Sequence, residues 1–199
     1  FINFWIYTVC AVGMFCLLTP FVENIWLGKE FGLGNMTTLF IVCNFFLDGI
    51  MAPIDSVKNS AGIYWNDRYI PIASALLNLF LSILFVQKYQ IAGVLIGTIV
   101  SKVTLSFWIQ PLLVYKLLFK KNLLDYFGLI IKYLSAFLGI TAICYMGLQI
   151  LNLRMNFIIL VLEGILVLAV TNLILWILFG RTVEFRELIE LVKNKIQRK

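Results

Sequence analysis

A chain of 199 residues that is 62% hydrophobic, only 13% charged and carries a net charge of +6 is not an ordinary soluble globular domain, in which charged residues make up roughly a quarter of the sequence. It has no histidine, which removes the usual general base, the commonest metal ligand and any Ser-His-Asp triad. Enzymatic chemistry, a cofactor and a metal site are therefore not expected, and the apolar runs of bilayer-crossing length predict an all-α, polytopic transmembrane bundle.

Taken in chain order, these runs cover residues 3–21, 35–54, 69–86, 91–115, 126–151 and 157–179. Each is close to the length of about 20 residues that a helix needs to cross hydrocarbon, so residues 1–180 are read as a six-span portion. There is no starting Met, and the first span begins without a preceding flank. The expectation is accordingly the C-terminal part of a longer chain, without a signal peptide.

The second span carries Thr37, Asn44, Asp48, Asp55 and Asn59. Spacings of seven and four residues return to one helical face, and a polar face inside a membrane must look toward other helices or water. Pro53 lies within this span, where it bends the helix or frees a carbonyl near Asp48. The third span repeats the pattern with Ser74, Asn78 and Ser82.

The fourth span sets Thr98, Lys102 and Ser106 on one row, and Gly93, Gly97 and Ser101 on a small-residue ridge suited to close helix packing. Lys102 is the most informative residue of the chain, because an ammonium near the middle of a span marks a transport path by default. Two readings stand side by side: Lys102 and Asp48 line a wet cavity enclosed by spans two to four, or they form an internal ion pair that orients the helices. Asn78, Ser74 and Ser82 are likewise either substrate ligands or interhelical hydrogen-bond partners. Asp55, Lys58, Asp67 and Arg68 fall at the rim, where solvated loop charges are the simpler reading. Glu163, about two turns into the sixth span, is a second acidic group at depth.

Cys10, Cys16, Cys43 and Cys144 all fall in apolar runs with no CxxC pair and are read as packing residues. Lys58 and Arg68, then Lys116, Lys120 and Lys121, then Arg181, Arg186, Lys193, Lys195, Arg198 and Lys199 lie on alternate connections. The opposite connections carry only Lys29, Lys88 and Arg154, while Lys132, like Lys102, lies within a span. The positive-inside rule then places the C-terminus in the cytoplasm. Trp26 at an outer end and Trp5, Trp65, Trp108 and Trp176 toward inner ends agree with interfacial belts. Residues 181–199 form a separate basic tail, with Phe185, Leu188, Ile189, Val192 and Ile196 on one helical face, expected to lie along the headgroups as a topology anchor or an anionic-lipid contact.

From Trp26 to Tyr115 the order of features resembles a known family. Pro20 and Leu27-Gly28 around the first outer turn, Arg68 to Pro71, Asn78-Leu79, Ala92-Gly93 and Gly97-Thr98 follow one another as in the C-terminal half of bacterial polysaccharide repeat-unit flippases. These capsule and O-antigen transporters belong to the multidrug/oligosaccharidyl-lipid/polysaccharide exporter superfamily. The resemblance implies a bundle of twelve or fourteen helices in two halves, working by alternating access in the bacterial inner membrane. It implies an undecaprenyl-pyrophosphate-linked oligosaccharide as substrate, with membrane lipids, a polysaccharide polymerase and other assembly proteins as partners, and no nucleic acid. On that reading Lys102, Asn44, Asn78 and Arg68 are the substrate-binding candidates, and Asp48, Asp55 and Glu163 the ion-coupling candidates. A multidrug or small-cation exporter of the same superfamily is the nearest alternative, followed by a membrane enzyme of polysaccharide assembly and a non-transporting scaffold.

Overall fold

The computed structural model describes residues 1–63, 65–120, 122–151 and 156–197. Lys121, Arg154, Arg198 and Lys199, which enter the charge pattern above, lie outside the described residues, as do the side chains of Val192, Lys195 and Ile196. Among the described residues the protein is all-α, and six helices are long and apolar enough to cross a membrane. These are α1 (Ile2–Trp26), α2 (Gly34–Ser60), α3 (Ile70–Tyr89), α4 (Ile91–Phe119), α5 (Leu123–Leu151) and α6 (Phe157–Phe179). A shorter amphipathic helix, α7 (Val183–Gln197), follows.

The helices outrun the apolar runs because hydrogen bonding continues into the flanking polar turns. α2 passes through Pro53 without interruption and ends only at Ser60. α1 closes in a π-helical turn over Val22–Trp26. Two further π-helical turns fall within α4, over Lys102–Ser106 and Tyr115–Phe119. Asn122 and Asn156 start α5 and α6 by accepting hydrogen bonds from Leu124 N at 3.0 Å and Phe157 N at 2.7 Å, the role that short polar side chains play at helix starts.

The chain forms two compact units. One comprises Phe1–Phe31 and Phe137–Lys199, in which α6 packs along α1. Its buried stripe on α6, Glu163, Val167, Thr171, Leu175 and Phe179, recurs every four residues, the spacing of one helical face. α1 buries Phe4, Thr8, Ala11, Val12 and Cys16, and the Phe4 and Phe179 rings meet with centroids 5.3 Å apart. At one end Phe1, Phe4 and Phe179 gather with Trp5, and Phe185 of α7 stacks on the Trp5 ring at 5.6 Å. The Trp5 indole Nε1–H donates to Asn172 Oδ1 at 2.9 Å.

The other unit, Gly32–Ala136, holds α2, α3, α4 and the first half of α5. A single residue, Gln90, with φ of 51°, separates α3 from α4. The two helices then lie against each other through glycines: a Cβ on Gly93 would run into the Phe85 carbonyl and stand 2.7 Å from Val86 N, and one on Gly97 would stand 2.8 Å from Ser82 Oγ. Small residues permit this approach. Gly93→Ala is expected to lower stability by about 1–3 kcal/mol, because backbone rather than a movable side chain blocks the methyl. Gly139 on α5 has nothing within 4 Å of its Cβ position, so Gly139→Ala, gaining helix propensity, is expected to have the opposite sign in the same detergent unfolding measurement.

Candidate functional site

The polar faces of α2, α3 and α4 resolve into three separate arrangements. α4 packs against α3 and against α2, and each contact carries its own polar set.

Between α2 and α4, the Lys102 ammonium donates to Asp48 Oδ1 at 2.7 Å and faces Asn44 Oδ1 at 3.4 Å. Asn44 is buried, and its Nδ2 donates to the Phe40 carbonyl one turn back and to the Leu95 carbonyl of α4 at 3.2 Å. With both amide hydrogens committed to carbonyls, the amide oxygen turns toward the cation, so Asn44 orients Lys102 as well as tying the helices together. The π-helical turn starts at Lys102 and ends with Phe107 N–H donating to the Lys102 carbonyl. Such single turns shift the following residues around the helix and are frequent at functional sites.

Asp48 is the fifteenth of the 27 residues of α2, and Lys102 lies within a turn of the middle of α4. At that level the Asp48 side chain is 57% exposed and that of Lys102 26%. An ionised pair open on one side at mid-span is not solvated by acyl chains. The face it occupies is one that meets water or further protein.

Between α3 and α4, Asn78 Oδ1 accepts from Ser82 Oγ at 3.0 Å and from Thr98 Oγ1 at 3.3 Å. Asn78 thus serves the glycine-lined seam as the interhelical partner of Thr98, and Ser82 bonds to it from one turn on within α3. The contact across the seam is with Thr98, one turn from Lys102, rather than with Lys102, Asn44 or Asp48.

The third arrangement departs from the sequence reading. Lys58 and Asp67 are buried, at 7% and 4% exposure, and pair at 2.6 Å across the turn that joins α2 to α3. Asp55, one turn before Lys58, stands 3.5 Å from the same ammonium and is 43% exposed. The pair is therefore an internal clasp rather than a set of solvated loop charges. Arg68 is exposed and lies over the rings of Trp65 at 4.0 Å and Tyr69 at 4.6 Å, an amphipathic stack of the kind found at polar–apolar boundaries.

Glu163 is in the other unit, buried at 4% exposure on the α1-facing stripe of α6. Of the cysteines, Cys16 and Cys144 are buried, whereas Cys10 is exposed and Cys43 intermediate. Cys144 Sγ lies 3.7 Å from Thr171 Oγ1. Beyond the residues anticipated from sequence, Gln110 Oε1, Tyr126 Oη and Thr8 Oγ1 are buried side-chain atoms without a hydrogen-bond partner among the described residues. Gln110 precedes Pro111 in an otherwise apolar stretch, and that lone amide was the available signal. Nothing in the spacing of Lys58 and Asp67 announces that they meet.

Comparison with protein-family models, with curated proteins and with solved structures finds no match to this chain.

Proposed function

We propose that this membrane protein carries an anionic, lipid-linked oligosaccharide across the bacterial inner membrane, with Lys102 as the cation that meets the pyrophosphate and Asn44 beside it for hydroxyl groups. The observation that supports this reading is the open, mid-span ion pair of Lys102 with Asp48. In it the cation is held at its site by a carboxylate that an incoming diphosphate displaces. A preformed cation in a wet cleft offsets the desolvation of the cargo's phosphates. Asp48, released on displacement, is a carboxylate whose cation occupancy then differs between the two states.

In this reading the polyprenyl tail stays in lipid, the C-terminal helix lies on the cytoplasmic face, and the protein works as a transporter rather than an enzyme. Polysaccharide polymerase and other assembly proteins are its partners.

A second reading has its own support: Asp48 is the more exposed member of the pair, which suits a small lipophilic cation as cargo. The two separate in vesicles reconstituted with the full chain. Translocation of an undecaprenyl-pyrophosphate oligosaccharide above the protein-free rate is the expected result. Export of a lipophilic cation without any movement of the lipid-linked glycan would overturn it.

A further inference from the structure

Glu163 takes no part in the Lys102 arrangement and needs its own explanation. It is the seventh residue of α6, about 9 Å from the start of the helix at 1.5 Å per residue. Its stripe faces α1, and the neighbouring Gly164 comes within 3.5 Å, at its Cβ position, of the Leu17 side chain. Only 4% of Glu163 is exposed, and its Oε2 meets no hydrogen-bond donor among the described residues.

The thiol of Cys16 on α1 lies near it, and that of Cys144 on α5 lies near Cys16, both without a disulfide and buried. Among the described residues, Lys58 pairs with Asp55 and Asp67 and Lys102 with Asp48, and neither ammonium reaches Glu163. A carboxylate with one oxygen buried and without a donor or counter-charge among the described residues is not carried bare in an apolar seam. The acid is retained there with something bound to it.

We propose that Glu163 is a proton-binding site buried in the α1–α6 seam, occupied in this conformation and emptied only when the seam opens to water. The proton is the ligand class that fits, because a metal ion needs several oxygen ligands. The neighbours named above, the Cys16 thiol beside Glu163 and the Leu17 side chain beside Gly164, supply no oxygen ligand. The proposal is independent of the cargo and gives the first unit a titratable element of its own.

A hydrophobic carbodiimide tests it on the intact full-length chain, without any transport measurement. The protonated carboxyl adds across a C=N bond of the reagent: its oxygen bonds to carbon and its proton goes to nitrogen. The resulting O-acylisourea rearranges by oxygen-to-nitrogen acyl transfer to a stable N-acylurea, with no leaving group and no redox change. Dicyclohexylcarbodiimide is expected to mark the Glu163 peptide, read by mass spectrometry, and Glu163→Gln to lose that adduct. Above the titration midpoint, labelling should fall about tenfold per pH unit, and sodium should leave it unchanged.

No adduct on Glu163 at acid pH, while the unfolded chain labels there, would overturn the proposal. So would labelling that ignores pH. Protection by sodium would replace the proton with a metal cation and overturn it equally. None of these outcomes depends on whether a lipid-linked glycan is moved, so failure here and failure of the flippase reading are told apart.

Discussion

Lys102→Glu is expected to reduce translocation of the lipid-linked oligosaccharide at least about tenfold, the factor given by about 1.4 kcal/mol of lost interaction, while the protein still reaches the membrane. On the proposed flippase reading, the substitution removes the cation that would meet the pyrophosphate and sets a carboxylate opposite Asp48, whose Oδ1 now lies 2.7 Å from the ammonium. Repulsion at that range turns a binding position into one that rejects the cargo. Lys102→Arg should retain part of the activity, since it keeps the charge but presents a planar, differently hydrated head. The internal ion-pair reading makes a different forecast. If Lys102 only holds α4 to α2, then Lys102→Asp combined with Asp48→Lys restores transport, because the pair is rebuilt with its ends exchanged. Under the transport reading the double variant stays inactive, since the cation has moved to α2 and away from the Asn44 oxygen and the π-helical turn. Vesicle translocation of the four proteins separates these outcomes.

Lys58→Ala should be the most damaging single change to stability, costing about 3–5 kcal/mol. The Asp67 carboxylate, 4% exposed, would remain buried without the ammonium that now sits 2.6 Å away. Asp55, 43% exposed, regains water and adds little to the loss. The double variant Lys58→Met, Asp67→Leu should recover most of that stability, because the cost arises from an uncompensated charge rather than from missing attraction. Equilibrium unfolding in detergent, followed by Trp65 fluorescence in the same turn, reads both. Equal destabilisation by the single and double variants would show that the clasp acts through packing instead.

Much of the architecture is legible from residue order. Each of the six apolar runs became a helix able to span a membrane, because hydrocarbon leaves the backbone no other way to satisfy its hydrogen bonds. Gly93 and Gly97 sit where α3 and α4 touch, as a small-residue ridge predicts. Periodicity also put Asn44 and Asp48 on one face of α2, and both now meet Lys102. For Asn78 the sequence left two readings open, substrate ligand or interhelical partner, since periodicity orders residues on one helix and says nothing about which neighbour that helix chooses. Asn78 turned to Thr98.

What the sequence determines by itself is the membrane class, the helix count among the described residues and the polar face of each span. Those follow from the cost of placing backbone and charge in hydrocarbon, a local property of each segment. Tertiary structure alone decided that Lys58 and Asp67 are buried together, that the Lys102 pair lies open on one side, and that Glu163 is sealed against α1. Burial and pairing are set by which helix lies against which, and two charges nine residues apart across a turn carry no mark of that choice until the chain has folded.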